Sequence, residues 1–528
     1  MNRSLYPAGA LIAAAGLLLT GCTTAGPSPA ASGAADGATS QPAGTVRTTL
    51  DLPATFDPVR GVSLPDYLTA RMSYDTLLRK DDGNELVGGL AETWETTPNG
   101  AVFTLRDGPT CSDGTPITPE IVKNSLEYLA APETASVSGP LIFGVAAPPV
   151  ITADDAAGTV KIELAEPWPD MLPGLAMAAS GIICPAGLAD PEALAAGTAA
   201  GSESGPYLLS GKEHGVRYTY SLREDYDSWP DYAAPLPGQS PATIVYNVIA
   251  DKNATANQLL AGQLDTGFVN ANSVPRFEGN DKFTVANEAF SDFFVLFNQR
   301  EGSPFTDPAK RQAVAQVLDR AAFENITSNG MGQVSTQLVA NGTKCASPED
   351  SPVLELDPSA AKTVLNGVKI RMVGAQIVGP QGSGNVYVQE QLRAAGADVT
   401  LDNLDVGGWI GTVYGEPTGW DLTVYADLNF MGTMSNPMNS MSGAPMEDGG
   451  GNIAAINNPE AEEALAAYRA GGDEAAQCAS LQQAMDSVIT NADAIPLSND
   501  PRIMISSDGF AVVSLGGTLD DQHYRVLK

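Results

Sequence analysis

A recurring helix start constrains the fold of this chain more than any other feature of its sequence. It consists of a capping side chain followed by proline, and it occurs at Thr118-Pro119, Asp307-Pro308, Asp357-Pro358 and Asn458-Pro459. The side-chain oxygen accepts a backbone N–H at the helix end, and proline fits the first helical position because no donor is needed there. We therefore predict that a helix begins at each of these sites.

Other segments have the period of a β-strand. Apolar and polar residues alternate in Val160–Leu164 and in Tyr218–Leu222, which predicts strands with one buried face. Thr243–Ile249 and Phe293–Phe297 are almost continuously apolar, which is typical of central strands. Because strands and helices alternate along the chain, we predict a mixed α/β fold.

Length and composition argue against several classes of protein. The chain has 528 residues, which is more than one compact core usually contains, so two or more lobes are expected. Hydrophobic residues make up 43% of the chain, too many for a disordered acidic protein. The 62 acidic residues outnumber the 28 basic ones, and the net charge of −34 argues against a nucleic-acid partner, since phosphate contacts need clustered Lys and Arg.

Histidine is scarce, which limits the chemistry available to the chain. The chain has two histidines, His214 and His523. Two are too few for a metal site made of several histidines, and they leave little scope for catalysis by histidine. The chain has no Gly-x-Ser-x-Gly and no His-Glu-x-x-His motif. We predict a protein with no metal, no cofactor and no enzymatic activity. A hydrolase that works through paired carboxylates is the enzymatic alternative.

The first 22 residues have the pattern of an export signal. Arg3 is the one charged side chain before position 22, and Ala8–Leu19 is an apolar run shorter than the about 20 residues needed to span a bilayer. Residues 19–22 read Leu-Thr-Gly-Cys, which resembles the lipobox of bacterial lipoproteins. The resemblance implies a signal peptide at 1–21 and lipidation of Cys22. The alternative is an ordinary secreted protein with a chance cysteine at that position.

Residues 22–45 predict a flexible tether. They are mainly Ala, Gly, Ser, Thr and Pro, with Asp36 as the one charged side chain. Such a sequence cannot bury a core. We expect the lipid to hold the folded part at the extracytoplasmic face of the bacterial cell membrane, on the cell surface or in the periplasm.

Four further cysteines follow the tether. An even number in an exported protein suggests two disulfides, for which three connectivities are possible. Buried free thiols are the alternative. The four are Cys111, Cys184, Cys345 and Cys478.

An ordered set of short motifs in residues 46–528 resembles the solute-binding proteins of oligopeptide, dipeptide and nickel ABC transporters. The first motifs are Phe-Asp-Pro at 56–58, Leu-Ala-Glu-Thr-Trp-Glu at 90–95 and Ser-Asp-Gly-Thr-Pro at 112–116. Later motifs are Ser-Gly-Pro-Tyr at 204–207, Gln-Leu-Leu-Ala-Gly-Gln-Leu-Asp at 258–265, Phe-Asn at 297–298, Pro-Phe at 304–305 and Ala-Ile-Pro-Leu at 494–497. The order and spacing of the set carry the resemblance, since no single motif would suffice.

The resemblance implies a two-lobed periplasmic-binding-protein-like fold that closes by a hinge over a ligand in the cleft. Lobe I would comprise residues 46–290, with a small extra subdomain at about 95–204. Lobe II would comprise residues 291–503, and residues 504–528 would return to lobe I.

Two further expectations depend on this division into lobes. The chain would cross between the lobes near 289–292 and again near 500–505. The pairings Cys111–Cys184 and Cys345–Cys478 are then favoured, because each would lie within one lobe.

The resemblance also implies candidate ligand-binding residues. Peptide-binding members bind the ligand's α-amino group with an aspartate of lobe II, and the matching segment, 421–430, offers Asp427 together with Tyr425 and Asn429. The segment is flanked by Trp409 and Trp420, which would line side-chain pockets. The alternative for these residues is a structural role, with Asp427 as a loop cap and each Trp as part of the core.

A second segment, in lobe I, would contact the ligand through its backbone. Ser63 and Leu64 match the family segment that pairs with an extended peptide as an added strand.

The function implied is that of a monomeric, lipid-anchored receptor that delivers an oligopeptide or dipeptide to an ABC permease and its ATPase subunits. The family's Asp-Pro after the binding segment is replaced by Asn436-Pro437. The alternative is therefore the same fold binding an oligosaccharide, a metal chelate or a modified metabolite.

Overall fold

Two long antiparallel strands, Phe283–Phe297 and Ala494–Ser507, run side by side through the structure. The structure is a computed structural model that describes residues 44–341, 343–347, 349, 351–516 and 522–527. The predicted signal peptide, Cys22 and all but the last two residues of the predicted tether lie outside these residues. We keep the name lobe I for residues 46–290 and 504–527, and lobe II for residues 291–503.

The strands are numbered in chain order. They are β1 (Thr45–Leu50), β2 (Leu78–Lys80), β3 (Leu86–Gly88), β4 (Ala91–Thr97), β5 (Gly100–Leu105), β6 (Val150–Asp154), β7 (Thr159–Glu163), β8 (Tyr207–Glu213), β9 (Arg217–Leu222), β10 (Thr243–Val248), β11 (Thr266–Val269), β12 (Phe283–Phe297), β13 (Gln333–Val334), β14 (Lys369–Ala375), β15 (Asp398–Leu404), β16 (Leu422–Asp427), β17 (Ala494–Ser507), β18 (Phe510–Ser514) and β19 (Gln522–Val526).

The α-helices are numbered in the same way. They are α1 (Leu64–Ser73), α2 (Pro119–Ala130), α3 (Gly139–Phe143), α4 (Met171–Gly174), α5 (Pro185–Ala189), α6 (Pro191–Ala195), α7 (Lys252–Leu260), α8 (Pro308–Ala315), α9 (Arg320–Ser328), α10 (Pro358–Leu365), α11 (Ser383–Ala394), α12 (Val406–Gly415), α13 (Ser435–Asn439), α14 (Pro459–Arg469) and α15 (Glu474–Thr490). None of the helices in the described ranges combines the length and the hydropathy needed to cross a membrane.

The four predicted helix starts are confirmed. The helices α2, α8, α10 and α14 begin at their prolines, and each capping oxygen accepts a backbone N–H at 2.9–3.4 Å. The predicted strands are also present, as β7, β9, β10 and the second half of β12. Local sequence therefore determined where these elements begin.

The long strands β12 and β17 belong to both lobes. They lie in the centre of a sheet with the order β11-β17-β12-β16-β14-β15, with β13 beside β17. Their register shifts between Ala289 and Ser291, opposite Pro501 and Asp500. On one side of this shift β17 pairs with β11, and on the other side β12 pairs with β16. The predicted boundaries at 290 and 503 fall inside these two strands.

The second half of β12 is buried on both faces, which explains its continuous apolar sequence. Phe293, Val295 and Phe297 pack into one hydrophobic core, whereas Phe294 and Leu296 pack into another on the opposite face. Helices therefore cover this sheet on both sides.

Lobe I contains separate sheets with their own cores. One sheet has the order β1-β10-β9-β8, and its core includes the fully buried rings of Tyr218, Tyr220 and Tyr246. A second sheet, β4-β5-β7-β6, packs with α2 in a core around Phe103. This second sheet and α2–α6 occupy most of the range predicted for the small subdomain.

The C-terminal residues pack against lobe I. The strands β18 and β19 form a hairpin, and the ring of Tyr524 lies 5.7 Å from that of Tyr246. The Arg525 guanidinium donates to the carbonyls of Pro237 and Gly238 at 2.7 and 2.9 Å.

Two disulfides lie within single lobes. Cys111 is bonded to Cys184 with the two Cα atoms 6.0 Å apart, and Cys345 is bonded to Cys478 with a Cα separation of 4.8 Å. Cys111 and Cys184 have no exposed surface, so they are protected from reductant in the folded protein. This is the pairing favoured by the division into lobes.

Alkylation of the native protein without reductant is expected to modify none of these four cysteines, and alkylation after unfolding in reductant should modify all four. Replacing Cys111 and Cys184 together by Ala should lower the free energy of unfolding by about 2–4 kcal/mol, because the unfolded chain loses a cross-link. Peptide mapping by mass spectrometry and denaturant titration measure the two effects. Four alkylated thiols before reduction would contradict the pairing.

Candidate functional site

Two carboxylates lie side by side in the central sheet, close to where the lobes meet. Asp292 in β12 and Asp427 in β16 are direct register partners. Directly opposite residues in an antiparallel pair point to the same face, with Cβ atoms about 4.5–5.5 Å apart. Asp292 is 4% exposed and Asp427 is 7% exposed. The sheet therefore holds two acidic groups next to each other and out of water.

Asp427 accepts three hydrogen bonds from its own lobe. Its Oδ1 accepts from the Asn429 backbone N–H at 3.1 Å and from Asn436 Nδ2 at 3.0 Å, and Oδ2 accepts from the same Nδ2 at 3.1 Å. Burial raises the pKa of Asp427 to about 6, although these donors favour the ionised form and lower it. Near neutral pH this carboxyl can therefore ionise readily.

Asp292 is less well satisfied than Asp427. The Ala340 backbone N–H donates to its carboxyl group, but Oδ1 is buried with no hydrogen-bond partner among the described residues. Burial, followed by the neighbouring charge of Asp427, raises the pKa of Asp292 well above its usual value. At this spacing the negative charge of one carboxylate opposes ionisation of the other, unless a positive group lies between them.

Asn499 extends this row onto a third strand. It is the register partner of Asp292 in β17 and is 2% exposed. Its Oδ1 accepts from the Gln333 backbone N–H at 3.1 Å, whereas its Nδ2 is buried with no partner among the described residues. The side chains of Asp427, Asp292 and Asn499 thus form a row across β16, β12 and β17.

Aromatic side chains line the same face of the sheet. The ring of Tyr425 stacks on Phe294 at 5.2 Å and meets Trp409 edge-on at 5.4 Å. The hydroxyls of Tyr414 and Tyr425 lie 2.6 Å apart. Pockets for small solutes generally combine such apolar walls with a few fixed polar groups.

The two predicted tryptophans differ in their surroundings. Trp409 is 7% exposed, and its Nε1 donates to Thr423 Oγ1 at 2.9 Å. Trp420 has no exposed surface, and its Nε1 donates to the Val413 carbonyl at 3.2 Å. Trp409 lies beside Tyr425, and Trp420 is fully buried in the same hydrophobic core.

Asn429 shapes the loop that follows β16. Its φ is 39°, a left-handed conformation that Asn tolerates better than most residues. Its Oδ1 accepts from the Thr433 N–H at 3.1 Å, and its Nδ2 donates to the Thr433 carbonyl at 2.9 Å. Both ends of this amide are therefore used to close the loop.

The loop brings lobe II into contact with lobe I. The ring of Phe430 meets that of Tyr67 edge-on at 4.6 Å, and Met431 is fully buried in the core of lobe I. The Lys80 ammonium donates to the Met431 carbonyl, and Asn84 Nδ2 donates to the Gly432 carbonyl at 3.4 Å. The structure is therefore closed at this end of the site.

A buried carboxylate of lobe I holds the next part of lobe II. Asp170 is 1% exposed and accepts from Ser435 Oγ at 2.5 Å, from Asn439 Nδ2 at 2.8 Å and from the Tyr468 hydroxyl at 3.1 Å. The Arg469 guanidinium lies 5.0 Å from the ring of Trp168. These contacts all cross from one lobe to the other.

Ser63 and Leu64 lie at the start of α1. Ser63 precedes α1, its backbone N–H donates to Asp66 Oδ2 at 3.0 Å, and its carbonyl accepts from the Tyr67 N–H at 3.2 Å. Leu64 is the first residue of α1. Both backbone groups of Ser63 are thus used at the helix start, and pairing of this segment with an extended ligand stays a prediction.

Sequence reasoning missed Asp292 and Asn499 as candidate site residues. Asp292 directly precedes the apolar run Phe293–Phe297, and Asn499 follows the Ala-Ile-Pro-Leu motif by two residues. A lone polar residue at the end of a buried strand was the available signal for a site residue. The sequence does not show which strand pairs with that residue, because this depends on the order of strands in the sheet. The described residues contain no cluster of three His, Cys, Asp or Glu side chains that could hold a metal ion.

Comparison with known proteins identifies the family. The model of the bacterial extracellular solute-binding proteins, family 5 Middle, matches residues 85–445. The periplasmic murein peptide-binding protein MppA of Escherichia coli K12 is 25% identical over 453 residues, which cover 80% of this chain and 81% of MppA.

Two solved structures show the same fold. A substrate-binding protein from Microbacterium hydrocarbonoxydans, complexed with 4-hydroxybenzoate hydrazide, is 44% identical with a TM-score of 0.83, over 92% of this chain and all of that one (100%). Haemophilus influenzae OppA, complexed with the peptide RPPGFSPFR, is 15% identical with a TM-score of 0.73, over 92% and 99% of the two chains. The predicted two-lobed α/β fold is thus confirmed, and this chain is a member of the bacterial extracellular solute-binding proteins of family 5.

Proposed function

We propose that this chain is the solute-binding component of an ABC importer and that it captures a small, peptide-like solute between its lobes. The observation that carries this proposal is the buried pair Asp292 and Asp427, two acidic groups at the junction of the lobes. An ammonium group placed against a buried carboxylate forms a charge-assisted hydrogen bond that water does not weaken. The ligand would thus present an amino-type nitrogen to Asp427.

Closure of the lobes supports capture. The contacts of Phe430, Met431 and Asp170 join residues of different lobes, so they form only when the lobes are together. A ligand that touches both lobes would stabilise this closed form further, in proportion to its difference in affinity for the two forms. The hinge would lie at the register shift near Ala289 and Pro501.

A peptide is the first candidate ligand, because MppA is a murein peptide-binding protein and the OppA structure contains a peptide. A small aromatic acyl hydrazide is the second candidate. It is favoured by the 44% identical protein, whose structure contains 4-hydroxybenzoate hydrazide, and by the aromatic cluster of Phe294, Trp409 and Tyr425. Both candidates carry a nitrogen with several N–H donors close to a carbonyl.

Membrane attachment completes the proposal. Residues 1–21 would be removed, Cys22 would carry the lipid, and residues 23–45 would tether the lobes beside the permease at the extracytoplasmic face of the membrane. The lobes would act as a monomer.

Replacing Asp427 by Asn should weaken binding of an unblocked dipeptide or an aryl hydrazide by about tenfold to a hundredfold, since a hydrogen bond to a charged group contributes about 1.5–3 kcal/mol. Isothermal titration calorimetry with wild-type and variant protein measures the change, and an N-acetylated dipeptide serves as the ligand control.

Asp421→Asn is the matched control variant for this measurement. Asp421 is 3% exposed and accepts from Arg371 Nε and Nη2 at 3.0 and 2.6 Å, away from the row of site residues. It should lose stability but keep its affinity. An Asp427→Asn variant that binds every ligand as tightly as the wild type would contradict the amino-group role.

The ligand-free protein should show the ionisation of Asp427 as a pH-dependent loss of stability. Its pKa is raised to about 6 in the folded state, so the folded state binds the proton more tightly than the unfolded chain does. The cost of the buried charge is absent below about pH 4 and complete above about pH 6, and it amounts to about 3 kcal/mol.

Denaturant titrations of wild-type protein and Asp427→Asn at pH 4, 5, 6 and 7 test this ionisation. Subtracting the wild-type free energy of unfolding from that of Asp427→Asn removes the contributions of most other carboxyl groups. This difference should become more positive as the pH rises from about 4 to about 6, because only the wild-type protein forms a buried charge at this position. A difference that does not change with pH would contradict the raised pKa.

Lipid attachment predicts a change of compartment. In a bacterial host that processes lipoproteins, wild-type protein should sediment with membranes, whereas Cys22→Ala should be found in the soluble exported fraction. Labelling with a radioactive fatty acid provides the independent measurement. Equal labelling of both proteins would contradict lipidation at Cys22.

A further inference from the structure

We propose that Asp292 and Asn499 are specificity-determining residues of the ligand site, and that they select a nitrogen with at least two N–H donors adjacent to a carbonyl group. This inference deepens the proposed function and rests on it. The nitrogen would donate to Asp427 and Asp292 at once, and the carbonyl would accept from Asn499 Nδ2. An N-terminal aminoacyl group and an acyl hydrazide share this chemistry.

The first argument is the placement of the three side chains. They are consecutive register partners across three neighbouring strands, so they point to the same face. The outer two are separated by two strand spacings, about 10 Å between Cα atoms. A group of four or five heavy atoms placed over Asp292 can therefore reach all three.

The second argument is hydrogen bonding. Buried polar atoms in folded proteins nearly always have a partner. Asp292 Oδ1 and Asn499 Nδ2 are exceptions among the described residues, and they lie next to each other in the row. Because one is an acceptor and the other a donor, a ligand that satisfies both must itself offer a donor and an acceptor.

The third argument is charge. Asp292 and Asp427 repel each other when both are ionised, and no salt bridge joins a Lys or Arg to either one among the described residues. A positively charged or strongly donating nitrogen between them relieves this repulsion. A neutral ligand without donors would leave it in place.

The test compares Asp292→Asn with the wild type in two measurements. Without ligand, the variant should melt at the same temperature or higher, because it removes a buried acidic group whose Oδ1 has no hydrogen-bond partner among the described residues. With a dipeptide or 4-hydroxybenzoate hydrazide, its affinity should fall by about tenfold or more, because a hydrogen bond to a charged group is lost.

Ligands that lack the terminal nitrogen donors provide the control. N-acetylated dipeptide and methyl 4-hydroxybenzoate, an ester without any N–H, should bind wild-type protein and Asp292→Asn with the same affinity. The two unblocked ligands, compared in wild-type protein, decide whether the aminoacyl group or the hydrazide is the better source of this chemistry. Asp292→Ser repeats the comparison without introducing an amide.

Three outcomes would overturn the inference. Unchanged affinity of Asp292→Asn for ligands that the wild type binds would overturn it alone and leave the proposed function intact. A lower melting temperature together with an equal loss of affinity for donor and control ligands would assign Asp292 a structural role. Wild-type protein that binds neither unblocked ligand would overturn both this inference and the proposed ligand class.

Discussion

The pairing of β12 with β17 is the interaction on which the rest of the structure depends. The two strands are antiparallel neighbours from Phe283 opposite Ser507 to Leu296 opposite Ala494. On one side of the register shift near Ala289, β17 pairs with β11, and the core around Phe277 packs against the strands. On the other side, β12 pairs with β16, and the two cores of lobe II pack against the two faces of the sheet. The pairing of these two strands, although its register shifts at two places, thus extends through both lobes.

The candidate site lies just beyond this register shift, where the ladder enters lobe II. Asp292 follows the shift by one residue, and its neighbours Asp427 and Asn499 are set by the strands on either side. Carboxylates at this depth cost stability in the ligand-free protein, because water no longer solvates them and Asp292 Oδ1 has no hydrogen-bond partner among the described residues. Binding proteins can tolerate such a cost when the ligand supplies the missing partner, since stability and function often oppose each other at a site.

Closure depends on a different set of contacts. Asn429 turns the chain through a left-handed conformation, which directs Phe430 and Met431 into lobe I. Asp170 then accepts three hydrogen bonds, two from the segment that follows this loop and one from α14. The same loop begins at Asp427, so the group proposed to bind the ligand is joined by two residues to the contacts that hold the lobes together. If Asp427 binds the ligand as proposed, this short connection would link binding to closure.

Much of this protein could be predicted from short stretches of sequence. Capping side chains, proline and the period of apolar residues act within a few residues of each other, so Thr118, Asp307, Asp357 and Asn458 specify their helix starts wherever the chain folds. The strand of Phe293–Phe297 is evident for the same reason, because burial on both faces requires a continuous apolar run. The family resemblance rests on such local motifs as well.

Only the tertiary structure decided which polar residues share the site. Asp292, Asp427 and Asn499 are more than seventy positions apart along the chain, and each became a neighbour of the next through the strand order β17-β12-β16. The tertiary structure also placed Trp409 and Trp420 in one hydrophobic core and the backbone of Ser63 in a helix start. The sequence by itself predicted these helix starts and strands and the mixed α/β class, because they follow from interactions between near neighbours, and its ordered motifs indicated the family. The site followed from sheet order and burial, which are properties of the whole chain.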